Sequence, residues 1–123
     1  MKLITLLNEV NQVFRDNLIN INKKVCVKNK IRTQGDYMFL YHGTSKSNFK
    51  NIIKSNKFKN GTWFSENAET ATKFAKQQGK EIQLMYVLIY MGSVIYNGYF
   101  TSNEDLYYVQ NVYKPKDIKQ INL

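Results

Sequence analysis

Residues 82–91, Ile-Gln-Leu-Met-Tyr-Val-Leu-Ile-Tyr-Met, leave this chain few folds to choose from. The run is apolar at every position but Gln83, rich in β-branched and aromatic side chains, and as long as one strand. A strand of that kind has no solvent face, so it belongs at the centre of a sheet covered on both sides. In a chain of 123 residues, one such strand organises one core, and the whole is expected to be a single domain.

The rest of the chain supplies what surrounds that strand. Leu3, Leu6, Leu7, Val10, Val13, Phe14 and Leu18 fall at helical spacing, which predicts an N-terminal helix over 3–18 that packs on a sheet edge or a partner. Val25-Cys26-Val27 between lysines reads as a short edge strand, and 29–36 as a connection. Tyr37 to Tyr41 reads as a strand with its aromatics on one side, closed by His42-Gly43-Thr44. A helix over about 47–56 follows, capped by Ser45 or Ser47, with Phe49, Ile52 and Ile53 as its buried stripe. After the Asn60-Gly61 turn come a strand over 62–65 and a helix begun by Ser65 or Asn67 and ended by Gly79. Its Ala68, Ala71 and Ala75 are small enough for close approach to the sheet. Strands over 93–96, 106–110 and 117–121 complete an α+β reading, with Pro115 before the last.

Composition removes several classes of function. The single cysteine excludes an internal disulfide framework and suits a reducing, cytoplasmic setting. No apolar stretch reaches the roughly 18 residues that span a bilayer. The opening Met1-Lys-Leu-Ile-Thr-Leu-Leu7 stops at Asn8-Glu9, too soon for a signal peptide. One histidine and one cysteine cannot build a His/Cys zinc site. Gly-x-Ser-x-Gly, the P-loop and Gly-x-Gly-x-x-Gly are all missing. The net charge of +9, concentrated in Lys23 to Arg32 and Lys46 to Lys59, suits nucleic acid, a pyrophosphate cofactor or an acidic protein, and equally a plain solvated surface.

What remains is an imidazole, His42, beside a glycine whose bare backbone can come close to a ligand. Two further runs accompany it: Gly61-Thr-Trp63-Phe-Ser65 and, eleven residues after Trp63, Phe74 on a helix. Taken together, Tyr41-His-Gly-Thr44, the Gly-x-aromatic-Phe strand and the spaced second aromatic resemble the NAD-binding half of the ADP-ribosyltransferase superfamily, of the diphtheria-toxin and poly(ADP-ribose) polymerase type. The resemblance covers about residues 37–122.

That resemblance implies a fold of two small, mostly antiparallel sheets around an NAD cleft, with residues 1–36 as a helical extension. It implies that NAD is a co-substrate held by His42, Gly43, Thr44, Trp63, Phe64, Ser65 and Phe74. His42 would hold the adenosine-side ribose, the Gly43 backbone the carboxamide, and Trp63 and Phe74 the two faces of the nicotinamide ring. The family usually has tyrosine where Trp63 and Phe74 stand; stacking survives that change, and hydroxyl hydrogen bonds do not. A glutamate before a late strand supplies charge to the oxocarbenium-like transition state, which makes Glu104 the catalytic acid with His42, and Asp105 the fallback. A shifted register would put Leu106 at the acid's position instead. The function implied is mono-ADP-ribosyl transfer to a macromolecule, protein favoured over nucleic acid, without a metal. The alternative is a module that keeps the fold and binds without turnover.

Overall fold

The computed structural model describes residues 2–99, 105–109 and 115–121, with side chains from residue 12 to residue 98 and in the two later segments. Helix α1 spans Lys2–Asn29, β1 Thr33–Gln34, β2 Tyr37–Ser45 and α2 Lys46–Ser55. Then come β3 Trp63–Ser65, α3 Ala68–Lys76, β4 Ile82–Tyr90, β5 Val94–Tyr96, β6 Leu106–Val109 and β7 Asp117–Ile121.

The long apolar run is the centre of the molecule, as its composition requires. As β4 it lies between β2 and β7 and pairs with β2 at nine positions, from Tyr37↔Tyr90 to Ser45↔Ile82. Met85, Val87 and Ile89 are fully buried on one face; Leu84 and Leu88 are buried on the other. All pairings are antiparallel, and the order is β5-β6-β3-β2-β4-β7, with β1 paired to β2. This is an α+β domain with one open sheet, so the expectation of two sheets is corrected. The two halves of the sheet are nevertheless distinct. β3–β6–β5 meets β2–β4–β7 through a single residue pair, Tyr41↔Ser65.

Two readings of the N-terminal third are also corrected. α1 does not stop near residue 18, and Val25–Val27 is not a strand. Leu18, Ile19, Asn22, Val25 and Cys26 recur at helical spacing and are buried, whereas Val13, Phe14 and Val27 are exposed. The Val-Cys-Val trio looks like a strand only when it is read apart from the face that begins at Leu18. Asn22 ties this face down: its Nδ2 donates to the Met91 and Val94 carbonyls at 2.7 and 2.8 Å. The 29–36 connection holds the short strand β1, turned onto β2 through Gly35, whose φ of +58° suits a two-residue hairpin loop. No helix among the described residues is long and apolar enough to cross a membrane.

Candidate functional site

β2 runs beyond its aromatic start, through His42, Gly43 and Thr44 to Ser45. On its β4 side these residues continue the ladder, with His42 opposite Met85 and Gly43 opposite Leu84. On its β3 side the ladder ends at Tyr41↔Ser65. The two strands part there, and residues of both, Tyr41 to Gly43 and Trp63 to Ser65, line a cavity of about 630 Å³.

His42 fills the point of separation. Val109 N–H donates to the Thr62 carbonyl at 3.1 Å, so the alternation of an antiparallel ladder turns the Trp63 carbonyl the other way, toward β2. No β2 backbone group pairs with Trp63 there. Instead His42 Nδ1 lies 2.8 Å from the Trp63 oxygen. A carbonyl only accepts, so Nδ1 carries the proton and Nε2 of the neutral ring is left as an acceptor. Burial lowers the His42 pKa below its ordinary 6.5, and the bond to the Trp63 carbonyl opposes that fall without reversing it. The ring rests on Phe58 and Phe64, with centroids 5.4 and 5.3 Å away. Those two phenylalanines meet edge to face at 5.0 Å and are almost wholly buried.

Gly43 has a further reason to be glycine, besides the one its position beside His42 suggests. A Cβ there would fall 2.0 Å from the Ala71 carbonyl oxygen and 3.0 Å from the Ala75 Cβ. Its missing side chain is what lets α3 lie against β2, and the alanines of α3 do the same from the other side. That close packing brings Phe74, one turn along α3, to the cavity wall. α3 itself begins at Asn67, whose Oδ1 accepts from Glu69 N–H at 2.9 Å, while Ser65 Oγ accepts from Asn67 N–H at 2.9 Å. Asn67, not Ser65, is the cap, and the helix ends at Lys76, before Gly79. Ser45 caps α2, accepting from Asn48 N–H at 3.1 Å.

His42, Gly43, Trp63, Phe64, Ser65 and Phe74 all line the cavity. Thr44 does not: it is buried one position behind. Its Oγ1 donates to Gln78 Oε1 and accepts from Asn48 Nδ2, each at 2.8 Å, and both partners line the cavity. Thr44 therefore joins the start of α2 to the chain just after α3. Trp63 is 42% exposed at the rim, its ring 5.1 Å from that of Tyr108 across the β3–β6 ladder.

The fallback acid stands elsewhere. Glu104 lies outside the described residues. Asp105 is engaged with α3: its Oδ2 accepts from Thr70 Oγ1 at 2.6 Å, and its carbonyl accepts from Glu66 N–H at 3.1 Å. Leu106 is buried opposite Ser65. Glu66 accepts from the Tyr107 hydroxyl at 2.7 Å and from Asn29 Nδ2 at 3.1 Å, in a cluster that pins the β3–α3 corner to the end of α1. Burial, and then its hydrogen bond to Glu66, push the Tyr107 hydroxyl well up, so it serves as a neutral donor. Burial, with the nearby Glu66 charge, raises Cys26 to about 11 and leaves it an unreactive thiol. Among the described residues, no carboxylate lines the cavity.

Sequence reasoning missed the floor and one wall. Phe58 is an aromatic between two lysines in a polar loop, a position that has little reason to be apolar unless something covers it. Asn48, Asn51 and Ser55 recur at i, i+3 and i+7, a polar stripe beside the buried Ile52 of α2, and all three line the cavity. Lys57 and Lys59 line it from the loop that follows. Among the described residues no group of three His, Cys, Asp or Glu could hold a metal ion. Compared with protein-family models and with curated protein sequences, the chain matches none of them.

Proposed function

We propose that the chain binds NAD in this cavity and transfers its ADP-ribose to a macromolecular acceptor, as a mono-ADP-ribosyltransferase of the His-aromatic-acid type. One observation carries the reading. Residues drawn from two separate strands and a helix, which share a motif but no contact in sequence, line one cavity of about 630 Å³, within the size range of small-molecule sites. The residues fit the ligand. Trp63 and Phe74 offer aromatic faces to a cationic pyridinium. The neutral His42 offers Nε2 to a ribose hydroxyl. Lys57 and Lys59 place positive charge at the rim for a pyrophosphate.

In the reaction, the bond between the ribose C1′ and the nicotinamide nitrogen breaks and nicotinamide leaves with the bonding pair. A lone pair of the acceptor bonds to C1′, and the acceptor's proton passes to water. His42, Trp63 and Phe74 position the substrate; Glu104 supplies the negative charge beside C1′. The second reading, binding without turnover, is favoured by the lack of a carboxylate among the described cavity residues.

Two measurements separate these readings. Trp63 is the only tryptophan, so NAD stacked on it quenches the indole fluorescence, and folded protein without quenching at millimolar NAD would reject the site itself. Nicotinamide release from NAD in the presence of a cell lysate reports turnover. Glu104→Gln is expected to keep NAD affinity within a few-fold and to slow release on the order of 10²-fold, the scale of one lost preorganised electrostatic group. Quenching with no release from the parent protein decides for the binding module.

A further inference from the structure

Residues 46–59 contain five lysines and no carboxylate. Three of them, Lys46, Lys50 and Lys54, stand one helical turn apart on α2, which brings them onto one exposed stripe about 6 Å apart along the axis. None of the three is paired with a carboxylate among the described residues; the surface ion pair between Lys23 and Asp36 lies on other elements. Three solvated ammonium groups on one short helix repel each other, and α2 gives them neither an acid in its first turn nor an i+4 partner. Around the same helix the neighbouring stripe, Asn51 and Ser55, faces the cavity, and the chain after α2 carries Lys57 and Lys59 into the cavity wall. The chain that carries this stripe thus runs on into the cavity lining, of which Trp63, 42% exposed, is also part.

We infer that the outer face of α2 is the docking track for a single-stranded nucleic acid, the acceptor whose end or unpaired base is delivered to the cavity. This inference rests on the cavity being the site of transfer. Lysine holds phosphate as a point charge on a flexible stem, which tolerates any sequence and any backbone path. A row of such charges leading to an exposed aromatic is the combination that sequence-tolerant single-strand binding uses: charges track the backbone and a ring stacks a base. An acidic peptide meets the charges but gives the aromatic rim nothing flat to stack.

The test uses the full chain without NAD, so that its outcome is independent of whether NAD binds. A fluorescently labelled oligodeoxythymidine of roughly twelve nucleotides, and its uridine counterpart, are titrated over a range of salt. Each phosphate neutralised on a single strand contributes about −0.7 to the slope of log K against log salt. The variant K46Q/K50Q/K54Q is expected to bind at least tenfold more weakly than the parent, with a slope shallower by about 2. A control of equal charge at the end of α1, K24Q/K28Q/K30Q, is expected to keep the parent slope. Equal losses in both variants would mean only a diffuse attraction to net charge and would overturn the track. Polyglutamate of matched charge binding as tightly as the oligonucleotide would overturn it too, in favour of an acidic protein. With NAD present, basal nicotinamide release without acceptor is expected to be the same in K46Q/K50Q/K54Q as in the parent, while stimulation of release by the oligonucleotide is lost only in that variant. Quenching by NAD without oligonucleotide binding rejects the track and leaves the NAD site standing. Oligonucleotide binding without quenching does the reverse.

Discussion

β2 has two unlike edges. Along β4 it is paired at nine positions, and Met38, Leu40, Met85, Val87 and Ile89 of that ladder are fully buried in the core. Along β3 it is paired at one, and beyond Tyr41 a side chain, His42, takes over the carbonyl that the missing ladder leaves behind. This difference explains why the cavity is where it is. A continuous antiparallel ladder satisfies its own backbone and leaves no opening between strands. Where two strands diverge, the backbone needs other partners, and the residues that supply them are held in place yet open to a ligand. The same strand therefore carries structure on one edge and the candidate site on the other.

Gly43 belongs to both edges and gives the largest expected effect. It pairs with Leu84 on the β4 side and faces α3 with the side where a Cβ would be. Gly43→Ala places a methyl 2.0 Å from a backbone oxygen of Ala71, which has no rotamer to escape into. α3 must move back, at a cost of about 3 kcal/mol, the upper end of ordinary overpacking. For a domain of this size the melting temperature is expected to fall on the order of 10 °C. A thermal unfolding curve unchanged from the parent would show that the close approach of α3 to β2 is wrong.

Much of this arrangement is legible in the sequence. The buried strand at 82–90, the helix after His42 and the helix carrying Phe74 all follow from periodicity, because each has a clear apolar pattern and a defined start. The parting of β2 and β3 is not legible, since it depends on a register between residues more than twenty positions apart, and pairing partners leave no local pattern. α1 reads too short for a related reason. Its exposed stripe at Val13 and Phe14 and its buried one at Leu18 to Cys26 are offset around the helix, so a single stripe followed from the start runs out near residue 18. The second role of Gly43 is hidden too: the spacing of Ala71 and Ala75 announces close packing, but not what it packs against. The floor residue Phe58 sits among lysines, and its burial depends on His42 and Phe64 arriving from other strands.

Trp63 sharpens the contrast from the other edge. It is 42% exposed and touches Tyr108, and its carbonyl, not its ring, holds His42. Trp63→Ala keeps the backbone bond and is expected to change unfolding free energy by less than about 1 kcal/mol. It removes one wall of the slot, so NAD affinity is expected to fall roughly tenfold, in line with one aromatic contact to a cation. Calorimetric titration serves here, because this variant has no tryptophan to follow. A variant that loses stability as Gly43→Ala does, with NAD binding unchanged, would assign Trp63 to the core.

The smallest expected effect is the most specific to His42. Its pKa is lowered by burial from 6.5. Well above that value the imidazole is neutral in both the folded and the unfolded chain, and its contribution to stability is fully present. As the pH falls below 6.5 the unfolded chain takes up a proton first, so stability is lost until the pH has passed through the lower folded-state value. The ligand senses the same titration differently. Nδ1 keeps its bond to the Trp63 carbonyl in either state, but protonation turns Nε2 from acceptor to donor, and a ribose hydroxyl that donates to it loses its partner. NAD affinity is therefore expected to stay level from about pH 8 down to 6.5 and to weaken a few-fold only below it. His42→Gln retains one N–H for the Trp63 carbonyl and one oxygen that accepts at any pH, so its NAD affinity is expected to be flat over the same range. A midpoint above 6.5 in the parent would contradict a buried, neutral imidazole. The same acid-side loss in His42→Gln would show that another group carries it, and that the edge where β2 leaves β3 does not read the pH through this residue.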